Sequence, residues 1–144
     1  TIMAAAVGDF RPIEQSSEKV KKNGRVNIDL RLTSNPDILA WAGAHKTAGQ
    51  TLCGFAMETQ DLESNAAKKL TSKHCSMLVA NNLNTPGAGF AVDTNVVTVL
   101  KPGETTDEPI IEHWNKMSKQ ELAERILTEL AALRNTESAE SQAS

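Results

Sequence analysis

Three short apolar runs, each closed by a polar step, constrain this chain most. Residues 1–7 end at Gly8-Asp9, residues 50–57 at Glu58-Thr59, and residues 77–80 at Asn81-Asn82. A strand apolar on both sides is covered on both faces, as strands of a parallel sheet are. Helical patterns alternate with these runs. Asn35 is placed to cap a helix over residues 36–46, Pro36 suits its first position, and Asp37 opposes the positive end of its dipole. That helix is expected to bury Ile38, Leu39, Trp41 and Ala42. Over residues 61–73, Leu62, Ala66 and Leu70 share one face, and Lys69 and Lys73, four apart, share another. Residues 95–100 and 109–113 read as further strands. Ser118-Lys119-Gln120-Glu121 matches a capping box, opening a helix to about Arg134 with a Leu122, Ile126, Leu130 and Leu133 stripe. Alternation of this kind implies an α/β fold, Rossmann-like, with a mostly parallel sheet and helices on both faces. Ligands in such sheets bind beyond the carboxyl ends of the strands.

The remaining segments are less regular. Residues 10–24 read as a long loop carrying Lys19, Lys21 and Lys22; loops beyond about 12 residues are commonly functional or disordered. Residues 26–32 alternate strictly, with Val26, Ile28, Leu30 and Leu32 on one side and Asn27, Asp29 and Arg31 on the other. Period two predicts a strand with one wet or partner-facing side. The expected organisation is one domain over residues 1–135 and a small, polar, disordered tail over 136–144. Because the chain is apolar from its second residue, it reads as a fragment opening inside a strand.

Composition excludes several classes. The chain has 144 residues, is 40% hydrophobic and carries a net charge of −3. That balance excludes a wholesale basic surface for nucleic acid, though not a local basic pocket. No apolar stretch approaches the roughly 20 residues of a membrane helix, and no charged segment precedes an apolar one as in a signal peptide. Cys53 and Cys75 lack the C-x-x-C spacing and are expected as free thiols in a reducing cytosol. His45, His74 and His113 lack zinc-ligand spacing, so no metal site is expected. The glycine-rich fingerprints G-x-G-x-x-G and G-x-x-x-x-G-K-[ST] are absent from the sequence, as is G-x-S-x-G.

The chemistry-bearing candidates are basic. Lys19-Val20-Lys21-Lys22 follows soon after a strand's carboxyl end, where an ammonium serves as a point charge for phosphate or carboxylate. The plainer alternative is a solvated run on a loop. Asn35-Pro36-Asp37 offers a helix start, where free N–H groups favour an anion; alone it is an ordinary cap. Lys69 and Lys73 are either ligand cations or a solvated face. Gly87 and Gly89 would let backbone approach a ligand or simply form a loop.

Taken in order, Ala4-Ala5-Ala6-Val7-Gly8-Asp9-Phe10-Arg11-Pro12, Lys19-Val20-Lys21-Lys22, Asn35-Pro36-Asp37-Ile38-Leu39, Gly54-Phe55-Ala56-Met57-Glu58-Thr59, Ala80-Asn81-Asn82 and Gly89-Phe90 resemble one family. It is the phosphopantothenoylcysteine synthetases, the ligase domain of bifunctional coenzyme A biosynthesis flavoproteins. The resemblance covers residues 2–133. It implies a ligase that joins 4′-phosphopantothenate to cysteine. A nucleotide, CTP in most bacteria, activates the carboxylate as an acyl-nucleotide, and the amine of cysteine then displaces CMP; the residues themselves leave CTP and ATP both open. Mg2+ bridges the phosphates, and the active unit is a cytoplasmic homodimer. FMN belongs only to a decarboxylase domain fused upstream.

The resemblance also assigns residues. Met3, Ala4 and Ala5 match the backbone stretch at the base. Asp9 matches a nucleotide contact. Lys19 matches the mobile catalytic lysine that closes over the activated intermediate. Pro36, Asp37, Ile38 and Leu39 match the helix start that receives phosphate. Phe55 matches the aromatic at the nucleotide, and Lys69 and Lys73 match two nearby lysines. Gly8 and Asn82 depart from the alanine and aspartate common in the family. The family's first half, with a glycine-rich loop and the asparagine that completes cysteine addition, has no counterpart here. The chain therefore reads as half a site. A dimerising or regulatory subunit that keeps the fold without the chemistry is the alternative, and residues 26–32 are the candidate dimerisation strand.

Overall fold

Alternation of side chains along two apolar strands, β4 (Cys53–Glu58) and β5 (Met77–Asn82), organises the structure. The computed structural model describes residues 1–22, 24, 26–58, 60–82, 92–105 and 108–142, with backbone alone at 82 and 137–142. The chain forms two units: Thr1–Ala4 with Leu39–Ser144, and Ala5–Ile38.

The elements are β1 (Ile2–Met3), β2 (Phe10–Pro12), β3 (Leu32–Ser34), α1 (Ile38–Ala44), β4, α2 (Leu62–Ser72), β5, β6 (Thr94–Lys101), β7 (Ile110–Ser118) and α3 (Lys119–Gln142). In the first unit a five-stranded sheet has the order β1-β4-β5-β6-β7. The β1–β4 and β4–β5 pairs are parallel; β5–β6 and β6–β7 are antiparallel. The sheet is therefore mixed, with the expected parallel part at one side. The connection between β6 and β7 is too short for a crossover, so it joins antiparallel neighbours.

Helices cover both faces, as expected. Met77 and Val79 join Val97, Val99 and Trp114 under Leu122, Ile126 and Leu130 of α3. Leu78 and Ala80 join Ala56 and Leu100 under Ala66 and Leu70 of α2, with Leu39 and Ala42 of α1 packed alongside. Both stripes read from the sequence thus sit in the core, and Leu133 packs against it. The capping box forms bond for bond: Glu121 N donates to Ser118 Oγ at 3.1 Å, and Ser118 N donates to Glu121 Oε2 at 2.8 Å. Among the described residues no helix is long and apolar enough to cross a membrane.

Several expectations are corrected. The opening strand is two residues long, and Ile2 is 43% exposed, because β1 lies at the sheet edge with β4 as its one neighbour. The helix after Asn35 starts at Ile38, and Ile38 and Trp41 are exposed, Trp41 at 63%. The reason is Gly43, whose absent Cβ would stand 1.9 Å from the carbonyl oxygen of Lys73. That contact fixes the inward face of α1, and Trp41, two residues away, falls about 200° round the helix. Trp41 instead stacks on His45, with centroids 4.4 Å apart. Residues 136–142, expected as tail, continue α3 past Arg134; Ala, Glu and Gln propagate a helix already nucleated.

The second unit holds an antiparallel ribbon, β2 with β3, in which Phe10 pairs Ser34 and Pro12 pairs Leu32. Ile13 N donates to Arg31 O at 3.0 Å beyond it. Strand therefore appears at Phe10–Pro12, where a loop was expected, and is confined to Leu32–Ser34 in place of residues 26–32. Val26 is 96% exposed, and Ile28 and Leu30 are exposed with it. Without a partner ladder an alternating sequence does not make a strand.

A charge cluster ties β6, β7 and α3. Lys101 Nζ lies 2.5 Å from Glu112 Oε1 and 3.1 Å from Glu129 Oε2. The bonds from Lys101 and then Trp114 hold Glu112 below its usual 4.5. A depressed carboxylate stabilises the fold above its unfolded value, and that contribution is lost as pH falls through the lower folded value. Burial alone would lower Lys101, but its bonds to Glu112 and Glu129 outweigh this and raise it above 10.5. The lysine's contribution is complete below 10.5 and is lost as pH rises through the raised value. Unfolding free energies from urea titrations are therefore expected to fall below about pH 4 by roughly 0.5–1 kcal/mol more in wild type than in Lys101→Met. Identical acid limbs in the two proteins would remove the cluster from the stability of the fold.

Candidate functional site

Because β4 and β5 are in register, Glu58 and Asn82 stand side by side at the carboxyl end of the parallel strands. The chain then turns at Asp61, in the left-handed region at φ 47°, and α2 begins over this edge. Side chains on α2 close back onto Glu58. Lys69 Nζ donates to Glu58 Oε1 at 2.6 Å, and Asn65 Nδ2 donates to Glu58 Oε2 at 3.4 Å and to Gln60 O at 3.1 Å. Glu58 is 13% exposed and Lys69 47%. A charge-assisted bond to a largely covered carboxylate fixes the ammonium at the sheet edge, with other donors available to an anion. Lys73 closes α2, its N–H donating to Lys69 O at 3.0 Å. Lys73 is the residue after the helix, and its carbonyl faces Gly43, whereas the side chain of Lys69 is tied to Glu58.

Phe55 lies on the other face of β4. Gly54, Ala56 and Glu58 turn toward α2, so Cys53, Phe55 and Met57 turn away. Phe55 pairs with Val79 and is 39% exposed. Met3 pairs with Gly54 across β1–β4 and packs into the α2-side core; Ala4 follows, exposed. Leu39 packs into the same core. These six candidates, Met3, Ala4, Leu39, Phe55, Lys69 and Lys73, belong to the first unit.

The second unit holds Ala5, Asp9, Lys19, Pro36, Asp37 and Ile38. Here Asn35 acts as a clamp. Its N–H donates to Asp9 O at 2.8 Å and its Nδ2 to Gly8 O at 2.6 Å, while Arg11 Nη1 donates to Asn35 Oδ1 at 3.0 Å and Ser34 O at 2.8 Å. The residue expected to cap α1 instead binds the turn carrying Asp9, bringing Asp9 next to Pro36-Asp37-Ile38. Ala5 O accepts from Val7 N at 3.1 Å in the intervening turn. Lys19 is not brought to Asp9 by any bond. It follows a turn in which Ser16 Oγ donates to Glu18 O at 2.7 Å, is exposed, and forms no hydrogen bond or ion pair among the described residues.

Sequence reasoning missed Glu58 as the partner of Lys69, Asn65 as a second donor to that carboxylate, and Asn35 as a clamp. A carboxylate closing an apolar strand was the available signal for Glu58. Thr59, Gly87, Gly89 and Phe90 lie outside the described residues. Cys53 and Cys75 are both buried and reduced. Burial, with Cys75 adding, pushes the Cys53 thiol up to about 12, so it is no nucleophile at neutral pH. Among the described residues no three His, Cys, Asp or Glu side chains gather as a metal cage.

Comparison with known proteins gives consistent likenesses. The coenzyme A biosynthesis bifunctional protein CoaBC of Bacillus subtilis is 43% identical over 134 residues, 92% of this chain and 31% of that protein. A cysteine/cysteine sulfinic acid decarboxylase from an unidentified prokaryote is 39% identical over 133 residues, 92% of this chain and 35% of that protein. The chain thus spans about a third of the length of these relatives. The crystal structure of the C-terminal domain of a coenzyme A biosynthesis bifunctional protein CoaBC superposes with a TM-score of 0.65 at 28% identity, covering 92% of this chain and 53% of that one. The Rossmann-like α/β fold is the fold of that domain. Residues 1–133 match the family described as the DNA/pantothenate metabolism flavoprotein C-terminal domain, and the chain belongs to that family.

Proposed function

We propose that this chain is the nucleotide-closing half of a phosphopantothenate–cysteine ligase acting in coenzyme A biosynthesis. The observation that carries the reading is the Lys69–Glu58 pair at the carboxyl end of the sheet's parallel strands, in a chain of the DNA/pantothenate metabolism flavoprotein C-terminal family whose motif order resembles that of such ligases. In this reading the carboxylate of 4′-phosphopantothenate attacks the α-phosphorus of CTP, giving an acyl-cytidylate and pyrophosphate. The amine of cysteine then attacks the acyl carbon, forming the amide and releasing CMP. Lys19 closes over the converging phosphate and carboxylate and offsets their charge. Asp9 and the Pro36, Asp37, Ile38 and Leu39 segment hold the phosphates. Met3, Ala4 and Ala5 meet the base region by backbone, and Phe55, Lys69 and Lys73 complete the nucleotide site.

Magnesium fits this reading as an ion carried on the triphosphate. Such an ion keeps several waters and needs one or two carboxylates at most, so it would need no dedicated protein cage. No residue here is assigned to FMN, which enters only with a decarboxylase domain upstream. The homodimer would form through the apolar side of residues 26–32, where Val26, Ile28 and Leu30 are exposed. In this reading the compartment is the cytoplasm.

A second reading is favoured by one finding: a relative about as similar as the CoaBC protein of Bacillus subtilis is named as a cysteine/cysteine sulfinic acid decarboxylase. In that reading the domain keeps fold and dimerisation without ligation. The two separate in one assay. The chain, assembled with the upstream half of a family ligase, is incubated with CTP, 4′-phosphopantothenate and cysteine. Appearance of phosphopantothenoylcysteine with stoichiometric CMP and pyrophosphate supports the ligase, and a dimer that makes none supports the second reading. The same assembly is expected to bind CTP about tenfold more weakly as salt rises from roughly 0.05 to 0.5 M, through screening of lysine–phosphate contacts. Calorimetry showing salt-independent affinity would remove the lysines from the nucleotide site.

A further inference from the structure

We propose that the first unit carries a second ligand site, at the end of the sheet opposite Glu58 and Lys69, for a small apolar molecule bearing one anionic group. A cavity of about 600 Å³ opens there, between the segment that follows α1, the last turn of α2 and the connection from β6 to β7. The parallel strands begin at this end: Ser76, just before β5, accepts Leu52 N–H on its hydroxyl at 3.3 Å, just before β4. The volume is that of a small-molecule site, which typically spans about 300–1,000 Å³. Of the residues assigned to the nucleotide, Lys73 borders it through its backbone carbonyl, which backs Gly43.

Its walls are set by close backbone approaches. A Cβ at Gly43 would stand 1.9 Å from Lys73 O, and a Cβ at Gly103 would stand 1.9 Å from Glu108 O. Both glycines line the cavity, so two walls are pinned by contacts that admit no side chain. His74, also lining it, is held at φ 50°, a conformation that costs a non-glycine residue about 1 kcal/mol or more. A cavity so framed exists before any ligand arrives, which spares a ligand the ordering of its walls.

Its chemistry is mixed. Leu70 and Cys75 line it from the core, and Pro102 and Pro109 from the connection. Lys46, half-buried, donates from Nζ to Ser76 Oγ at 3.1 Å. Ser76 is 3% exposed, so the ammonium is anchored to a covered hydroxyl while further N–H donors serve the cavity. Among the described residues no carboxylate pairs with Lys46. Glu104, exposed, lies at the mouth. One fixed cation inside, apolar walls, and a carboxylate at the entrance select a compact apolar body with a single negative charge, and they disfavour a cation at the lysine and a polyanion at the mouth.

Three probes of one shape test this on the full chain: 4-phenylbutyrate, 4-phenylbutanol and 4-phenylbutylamine, titrated against amide spectra. Saturable shifts are expected at Gly43, Cys75 and Gly103, with the carboxylate binding about tenfold more tightly than the alcohol, the lower end of one hydrogen bond to a charged group. The amine is expected to bind most weakly. Lys46→Gln should erase the preference for the carboxylate, and Glu104→Gln, an exposed change that leaves the fold alone, should strengthen carboxylate binding two- to threefold, the size of a solvent-screened charge. Absence of saturable shifts at those amides, or equal affinities for all three probes, overturns the proposal. No ligase activity is read, so the outcome is independent of the function proposed above.

Discussion

Replacing Lys19 with glutamine is expected to lower phosphopantothenoylcysteine formation by about 10²–10³-fold, the loss typical when one preorganised donor is taken from developing charge. The fold is expected to be untouched. Lys19 is exposed and bonds to nothing among the described residues, and surface changes of that kind stay within about 0.5 kcal/mol. The measurement is product by HPLC in a ligase completed with the family's upstream half, alongside the urea midpoint of the same protein. Loss of product at an unchanged midpoint places the lysine in the chemistry. A rate close to wild type would take Lys19 out of the mechanism while leaving the nucleotide site to be tested by the salt dependence of CTP binding.

Trp114→Ala is expected to be the most destabilising single change in the first unit, at about 3–5 kcal/mol. Against a total of roughly 5–15 kcal/mol for a domain, that is a third of the stability or more. The indole is 2% exposed and sits between β6 and the Leu122, Ile126 and Leu130 stripe of α3. Its Nε1–H donates to Glu112 Oε2 at 3.0 Å, and the Arg125 guanidinium lies 4.0 Å from the ring centroid. Truncation opens a cavity, strips a bond from Glu112 and removes the surface on which Arg125 rests. Trp114→Phe keeps most of the packing and is expected to lose about half as much. Chemical denaturation of the two variants decides: a loss below about 1 kcal/mol for the alanine variant would mean that α3 docks without the indole.

Much of this architecture was legible because its causes are local. Met77 to Ala80 are apolar on both sides and are covered on both sides. Leu62, Ala66 and Leu70, and Leu122, Ile126 and Leu130, repeat at a helical period and point inward. Ser118 and Glu121 satisfy each other's N–H groups as their spacing requires. The failures have tertiary causes. Nothing near Trp41 states that Gly43 must meet the Lys73 carbonyl, so the burial of α1 was assigned to the wrong side. Asn35 has the side chain of a cap, but Arg11, distant in sequence, donates to the Oδ1 that capping would use, while the Gly8 carbonyl accepts from its Nδ2. Residues 26–32 alternate as strands do, yet a ladder needs a second chain segment, which a local pattern does not supply. At the candidate site the position of Lys69 on α2 was readable and its carboxylate partner was not, since the meeting of Glu58 and Lys69 depends on how α2 sits over β4.

Phe55 and Lys69 stand on opposite sides of β4, the aromatic turned from α2 and the ammonium held at the strand's end. A molecule that touches both cannot lie flat against either surface; it has to bend over the rim of the sheet. A rigid planar compound reaches one of the two, whereas an articulated one, with a hinge between its ring and its charged end, reaches both. For the nucleotide proposed above, discrimination at this rim would begin with the joint in the visitor's skeleton, before any count of its charges.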